Sequence, residues 1–409
     1  MFVCGVFTAN AQTSSNSPYT RYGLGDLSDQ IMTNNAAMGG IGYALRNSSH
    51  INPMNPASYS SVDSLSFMFD TGITLRSSNF QENGYKSNAK NSSFDYLIMQ
   101  FRLHPRLGVA FGMTPFSTVG YNFAVSDPVQ GDSEVSVINN ITGEGGSQVV
   151  FAGLGFKILD NLSVGANFGY LYGKQTYQTV ATLTNGGDGT IKYDRRKINT
   201  YKIDLGVQYT HPLKNESSVS FGLTYGLGHD MSVTEKKGIQ ISDGENYNQV
   251  NEEVFHGGYS LPHSIGAGVA YNHRKKLTVG FDYTLQEWSK AKYSDKEGMY
   301  NDRTRLAFGA EYVPNYKSRK YLGHVSYRIG TYYTSPYLKT TVGDGPKEYG
   351  VTAGFGFPLY LWQRKTVLSI TGQYAKLKPS TGSLMKEDRF IVKIGLTFNE
   401  PWFMKWRVN

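Results

Sequence analysis

The chain alternates between apolar and polar residues over long stretches, most clearly in residues 161–173. This stretch reads NLSVGANFGYLYG, with large apolar side chains at every second position and mostly Ser, Gly and Asn between them. A period of two is that of a β-strand, whose successive side chains point to opposite faces of a sheet. The same alternation recurs in residues 202–209, 219–227 and 277–286. The pattern predicts an all-β protein.

About fourteen segments carry this alternation, near residues 64–78, 93–104, 106–123, 146–158, 161–183, 191–211, 217–234, 254–272, 276–290, 303–313, 321–338, 348–360, 366–378 and 388–398. Short connections alternate with longer polar ones, which are residues 79–92, 124–145, 184–190, 235–253, 291–302, 339–347 and 379–387. An even strand number with this asymmetry is typical of a closed antiparallel barrel in the bacterial outer membrane. The apolar positions would then face lipid and the Gly-rich positions the lumen. In a soluble β-sandwich, short and long connections would not be expected to alternate in this way.

Composition excludes several other classes of protein. No run approaches the roughly 18 to 20 apolar residues that a transmembrane helix needs. The net charge of +8 would suggest nucleic acid in a soluble domain, but the basic residues are scattered over turns and strand ends, where a barrel meets lipid phosphates. The single cysteine, Cys4, lies in the N-terminal leader, so disulfides and thiolate chemistry are not expected in the mature chain.

The N-terminus indicates export. Residues 1–11 contain a short apolar patch and end in Ala9-Asn10-Ala11, which fits the A-x-A pattern of a signal-peptide cleavage site. We therefore expect a signal peptide, without its basic start, and a mature protein in the outer membrane.

Four fragments, in order, resemble the FadL family of outer-membrane transporters for long-chain fatty acids and other hydrophobic compounds. They are AAMGGIGYALRNSSHINPMNPASY, GLGFKILDNLSVGANFGYLYGK, SLPHSIGAGVAYNHRKKLTVGFDYTLQEWS and DRTRLAFGAEYVP…YRIGTYYTSPYL. The resemblance covers about residues 36–398. It implies a fourteen-stranded barrel, residues 63–398, whose lumen is closed by an N-terminal hatch, residues 12–62. The hatch motif would comprise Gly39, Gly40, Asn55, Pro56 and Ala57.

Residues 12–62 support a hatch on physical grounds as well. They are rich in Gly and Pro, which permit compact turns, and show no sustained strand pattern. A disordered leader is the alternative, but its density of Tyr, Leu, Ile and Met is high for a solvated tail. Residues 399–409 form a basic, aromatic C-terminal tail that departs from the resembled family. It could anchor at the membrane interface or contact an envelope protein.

Pro115 interrupts the third predicted strand, where it cannot donate a hydrogen bond to a neighbouring strand. In the resembled family, a kink in the third strand opens a lateral window through which the ligand leaves for the bilayer. Pro115 and Phe116 are therefore the candidates for a lateral opening. The alternative is that Pro115 begins an outer loop.

Strand phase predicts which side chains face the lumen. The apolar candidates for ligand contact are Phe94, Tyr96, Ile98, Phe116, Val149 and Phe151. The candidates for pairing with a ligand carboxylate are Arg102, Arg305 and Arg328. These arginines could instead balance lumenal acids such as Asp204, Asp282 and Glu311.

The sequence favours transport over catalysis. It contains no P-loop or dinucleotide motif in the required context, no assembled triad and no metal-ligand spacing, so we expect no enzyme, cofactor or metal site. The leading interpretation is passive uptake of a hydrophobic compound or lipid. The alternative is a non-transporting FadL-like subunit or shuttle of a secretion or barrel-assembly complex. In either case the barrel-assembly machinery would insert the protein among the outer-membrane lipids.

Overall fold

The computed structural model describes most of the chain. The described residues are 15–64, 66–82, 84–129, 132–186, 189–242, 247–315, 318–340, 343–361, 364–380 and 385–401. The predicted signal peptide and most of the predicted tail lie outside them. No helix within these ranges is long and apolar enough to cross a membrane.

Fourteen strands form one ring. In chain order they are β1 Ser66–Glu82, β2 Tyr85–His104, β3 Leu107–Val129, β4 Asp132–Leu159, β5 Leu162–Leu183, β6 Thr190–Leu213, β7 Ser217–Gly226, β8 Ser264–His273, β9 Leu277–Gln286, β10 Arg303–Tyr312, β11 Ser326–Thr334, β12 Lys347–Leu361, β13 Arg364–Lys378 and β14 Lys386–Pro401. Consecutive strands pair antiparallel, and β14 pairs back onto β1, with Gly395 opposite Gly72. The predicted fourteen-stranded antiparallel barrel is confirmed.

Several predicted outer connections are strands rather than loops. Residues 79–92 belong to the β1–β2 hairpin, and residues 124–145 belong to the β3–β4 hairpin, apart from the turn of each. Within residues 235–253, the strand Val233–Ser242 pairs with β6 and with the strand Tyr247–His256. These segments are polar because strands that extend beyond the membrane need no lipid-facing apolar side. The apolar alternation therefore ends before the strands themselves end.

The two faces of the ring differ as the alternation predicts. On β5, Phe168 is 56% exposed, whereas its neighbour Asn167 is 4% exposed. On β7 and β9, Leu223 points outward and Asp282 inward. A closed ring with an apolar outer face lets neighbouring strands satisfy one another's backbone hydrogen bonds within lipid. The chain is thus an outer-membrane β-barrel.

The N-terminal segment, residues 15–64, has little regular structure. It contains two 3₁₀ helices, Pro18–Arg21 and Pro56–Ser61, a one-turn helix, Thr33–Ala36, and the short strand Asp26–Leu27. It contacts inward-facing glycines on strands around the ring, at Gly108 of β3, Gly222 of β7, Gly309 of β10 and Gly330 of β11. Glycine has no side chain, so the segment's backbone approaches the wall closely at these points.

Candidate functional site

The wall of the ring has a gap between β2 and β3. The two strands pair only as far as Leu97 and Met113. Beyond these residues, β2 pairs with β1 up to Tyr85, and β3 pairs with β4 up to Val129. The two hairpins therefore separate at the level of Leu97 and Met113.

Pro115 lies two residues beyond the last pair, at the lower end of this gap. The register between β3 and β4 shifts between Pro115 and Ser117, which leaves Phe116 as an unpaired extra residue. Such a bulge is a common position for proline, which lacks an N–H to donate. The strand continues to Val129, so Pro115 lies within β3 and does not begin a loop.

The N-terminal segment occupies part of the edge that β2 leaves free. Its strand Asp26–Leu27 pairs antiparallel with Thr118 and Ser117 of β3. The backbone N–H of Ser28 also donates to the carbonyl oxygen of Phe116 at 2.8 Å. The N-terminal segment and the distorted part of β3 are therefore joined directly.

A cavity of about 620 Å³ lies behind the gap. Asp29 and Arg303 line it from the inside, and Pro115 lines it at the gap. Gln148 and Tyr172 also line it, although both lie on the outward parity of their strands. The cavity thus borders both faces of the wall.

Asp29 contacts two arginines at the cavity. The Arg303 guanidinium donates two hydrogen bonds to its carboxylate, the one from Nη2 to Oδ2 measuring 3.0 Å. The Nε of Arg305 lies 3.5 Å from the same Oδ2. Burial alone raises the pKa of the Asp29 carboxyl, but Arg303 and Arg305 outweigh burial and hold this pKa below its ordinary value. Asp29 is therefore an ionised anchor for the N-terminal segment.

Asp26 forms a second anchor. One carboxylate oxygen lies 3.0 Å from guanidinium nitrogens of both Arg76 on β1 and Arg389 on β14. Basic side chains outnumber acidic ones in the cavity lining, where Arg76, Arg303, Arg305, Arg389, Lys174 and Lys393 face Asp26, Asp29, Asp95 and Glu348. The cavity combines this positive charge with apolar surface.

Only one of the three arginines predicted to meet a ligand carboxylate lines this cavity. Arg305 does so, and its Nη2 donates to the carbonyl oxygen of Gly39 at 2.8 Å. The Nε of Arg328 donates to Glu311 at 2.6 Å, and this arginine side chain is 1% exposed. Arg102 donates to a backbone carbonyl in the β2–β3 turn at 2.6 Å. Arg328 thus balances an acid, as the alternative interpretation anticipated.

The predicted lumenal face is wrong for Phe94. The register between β1 and β2 shifts because Asp95 is an extra residue, so Phe94 is placed on the outer face and is 53% exposed. A bulge reverses the parity of every residue beyond it. Phe94 still borders the cavity, together with Tyr96.

The other predicted apolar contacts are buried or partly buried but lie elsewhere. Ile98, Val149 and Phe151 point inward and belong to a hydrophobic cluster that includes Tyr59 of the N-terminal segment. Phe116 packs against this cluster and borders a second cavity of about 100 Å³. These residues pack the N-terminal segment against the wall.

The two glycines of the predicted hatch motif lie against the wall of the ring. Gly39 and Gly40 have φ angles of +68° and +83°, a left-handed conformation that favours glycine. A Cβ on Gly39 would lie 2.6 Å from the carbonyl oxygen of Thr331. The Gly39 N–H donates to the Thr352 hydroxyl at 2.9 Å. The pair is thus adapted to a tight turn in contact with the barrel.

The remaining motif residues form a helix cap. The Asn55 side chain accepts a hydrogen bond from the Ala57 N–H at 3.1 Å and so caps the 3₁₀ helix that Pro56 begins. Its amide nitrogen donates to the carbonyl oxygens of Tyr43, at 2.8 Å, and Val207 on β6, at 3.1 Å. One side chain therefore connects the helix, a distant turn of the segment and the wall.

The sequence analysis missed the charged anchors at Asp26, Asp29, Arg303 and Arg389. The one available signal was that Arg303 shares the lumenal parity of Arg305. Its partner Asp29 is 274 residues away in the chain, so no local pattern could identify the pair.

Comparisons with known structures agree with this fold. The toluene transporter TodX of P. putida has a TM-score of 0.63 and 12% identity over 92% of this chain and 100% of that chain. A FadL homologue of Pseudomonas aeruginosa has a TM-score of 0.60 and 13% identity, covering 91% and 98%. The toluene transporter TbuX of Ralstonia pickettii has a TM-score of 0.58 and 14% identity, covering 91% and 99%. At this identity the likeness establishes the fold.

Sequence comparison assigns the family. No curated protein matches the chain. The family described as BamG matches residues 1–409. The protein therefore belongs to the BamG family.

Proposed function

We propose that this protein is a channel for passive uptake of hydrophobic compounds. The compound binds in the cavity of about 620 Å³ and leaves sideways into the membrane through the gap beside Pro115. Diffusion down a concentration gradient supplies the driving force, so neither a nucleotide nor a cofactor is needed. The similar structures include toluene transporters and a monoaromatic hydrocarbon channel, which supports this class of substrate.

The observation that carries the proposal is that one cavity borders both faces of the wall. Its lining runs from Asp29 inside, past Pro115, to Gln148 outside. An apolar compound following this route enters the membrane directly and avoids the polar periplasm.

The N-terminal segment acts in this proposal as a plug that controls the passage. Its strand Asp26–Leu27 occupies the free edge of β3, and Ser28 bonds to Phe116. A shift of this segment therefore changes the gap as well as the lumen.

The proposal is tested by blocking the gap reversibly. In a Cys4→Ser background, Gln148→Cys is modified with a bulky methanethiosulfonate reagent in cells that lack their own FadL-type channel. Uptake of radiolabelled oleate and toluene should fall about tenfold on modification, by steric exclusion of the ligand, and recover after reduction. Ala310→Cys, on the outer face of β10, is the matched control and should leave uptake unchanged.

A second variant tests the bulge itself. Pro115→Val, which suits a regular strand, should reduce uptake while leaving the barrel assembled, as judged by heat-modifiable migration on a gel. Uptake that is insensitive both to this change and to modification at position 148 would exclude the lateral route.

A second candidate function is that of a subunit in an outer-membrane assembly complex. The family name BamG points to barrel assembly. The strand Tyr247–His256 also favours a partner: within the described residues it pairs only with Val233–Ser242, and residues 248–256 are all exposed. Free edge strands of this kind invite pairing with another chain.

Purification from native membranes separates the two functions. Replacing residues 238–252 with an Asn-Gly turn removes most of the free edge and keeps the barrel. Loss of a stoichiometric envelope partner with uptake unchanged would favour the subunit role. The channel would be favoured if the purified protein keeps the same partners and if thiol modification of Gln148→Cys lowers uptake.

A further inference from the structure

The outer wall carries an apolar groove on the side formed by β10 to β13. Cross-strand pairing places Phe308, Thr331, Val351 and Tyr374 side by side in one outward row. Thr331 and Val351 are the two small side chains of the four, and the aromatic Phe308 and Tyr374 lie on either side of them. A groove of about 440 Å³ lies over this pair, with the aromatic residues as its sides.

Thr331 presents an apolar surface in spite of its hydroxyl group. This hydroxyl donates to the carbonyl oxygen of Gly350 at 3.0 Å, within the sheet. Its polar atom is thereby satisfied, and the groove over it suits a hydrocarbon chain better than a polar ligand.

The next row towards the long hairpins is aromatic and basic. The rings of Tyr333 and Tyr349 lie 5.1 Å apart, and Lys376 is opposite Tyr349. Tyrosines at this position mark the boundary between hydrocarbon and headgroups. The long hairpins of such barrels are extracellular, so this boundary belongs to the outer leaflet.

The row beyond it brings like charges together. Lys347 lies directly opposite Lys378, and both side chains are exposed. Such a pair is destabilising by itself. Asp388, opposite Lys376, is the neighbouring acid, and its carboxylate accepts a hydrogen bond from Tyr374 at 3.2 Å. The arrangement therefore favours an external anion above the groove.

We propose that this groove is a binding site for an anionic, phosphate-bearing, acylated lipid of the outer leaflet. One acyl chain lies over Thr331 and Val351 between Phe308 and Tyr374, and a phosphate meets Lys347, Lys376 and Lys378. The site is separate from the cavity behind the gap, so it does not depend on the uptake function. Its occupant is a structural lipid that covers the wall.

The test measures lipid retained by the purified barrel. Wild-type protein in nanodiscs is mixed with bisphosphorylated lipid A, and bound lipid is measured by native mass spectrometry. Thr331→Phe fills the groove and should abolish retention. The double variant Lys376→Gln/Lys378→Gln should lower retention about tenfold or more, because each lysine near a lipid headgroup favours an anion.

Two controls keep the result specific. Ala166→Phe, on the outer face of β5, and Lys214→Gln, in the β6–β7 turn, should retain lipid A as the wild type does. Heat-modifiable migration confirms that each variant is folded. Retention of phosphatidylcholine, which is zwitterionic and has no net charge, equal to that of lipid A would overturn the proposal, as would full retention by Thr331→Phe. So would a protein partner bound over Thr331 in native membranes.

Discussion

The carbonyl oxygen of Tyr59 lies only 1.9 Å from the position that a Cβ on Gly108 would take. This glycine of β3 therefore accommodates the backbone of the N-terminal segment. The same carbonyl accepts a hydrogen bond from the Gln100 side chain at 3.1 Å, so it cannot retreat freely.

Gly108→Ala should consequently loosen the N-terminal segment. We expect a loss of about 1–3 kcal/mol, because the added methyl overpacks a close backbone contact. The measurement is the urea midpoint of the purified barrel, together with protease cleavage within residues 15–64. Gly372→Ala is the matched control, since its Cβ would meet only the Ala353 carbonyl, at 3.9 Å. Equal midpoints for both variants would contradict the prediction.

Asp29→Asn should release the N-terminal segment more strongly than removal of a surface charge. It leaves Arg303 buried without its carboxylate, a change that typically costs about 3–5 kcal/mol. Limited proteolysis of residues 15–64, read by mass spectrometry, is the measurement. Wild-type protection in this variant would mean that the ion pair is not an anchor.

The effect of Asp29 also predicts a dependence on pH. Because the folded state lowers the pKa of this carboxyl, its stabilisation is present above the unfolded pKa of about 3.9 and is lost as the pH falls through the lower folded value. The difference in unfolding midpoint between wild type and Asp29→Asn should stay constant from pH 7 to pH 5. It should shrink below about pH 4. A difference that already vanishes above pH 5 would assign the effect to another group.

Glu311→Gln should destabilise the barrel and leave uptake unchanged. The variant isolates the buried guanidinium of Arg328, whose Nε donates to Glu311 at 2.6 Å, at a cost of about 3–5 kcal/mol. The double variant Glu311→Gln/Arg328→Met should recover most of this loss, because no buried charge remains unpaired. Unfolding midpoints and oleate uptake are measured in parallel. If the double variant is stable but no longer takes up oleate, the prediction that Arg328 contacts the ligand would be supported.

Asn55→Asp separates the two roles of the Asn55 side chain. Aspartate keeps the oxygen that caps the helix at Ala57 but cannot donate to Tyr43 and Val207. Gln208 still donates to the Tyr43 carbonyl oxygen, but a carboxylate oxygen now faces both carbonyl oxygens without a proton to donate. We therefore expect a loss of about 1–3 kcal/mol, seen as a lower urea midpoint. Asn55→Ala should lose about 1 kcal/mol more, because the cap is also removed. Equal stability of Asn55→Asp and wild type would confine the role of Asn55 to the cap.

Local pattern was sufficient for the wall of the barrel and insufficient where the wall is irregular. The period-two alternation predicted fourteen strands and placed Phe168 outside and Asn167 inside. It placed Phe94 on the wrong face, because no local residue pattern indicates that Asp95 is an extra residue in the strand. Pro115 was the exception, since its missing N–H makes a distortion visible in the sequence itself.

The sequence alone determined that the chain forms a closed barrel with a lipid-facing exterior, because side-chain alternation is a property of neighbouring residues. Only the tertiary structure decided where β2 and β3 separate at Leu97 and Met113. It also decided that Asp29 meets Arg303 across 274 residues of chain. The register between strands and the contacts between distant segments depend on how the whole ring closes and on where residues 15–64 contact it.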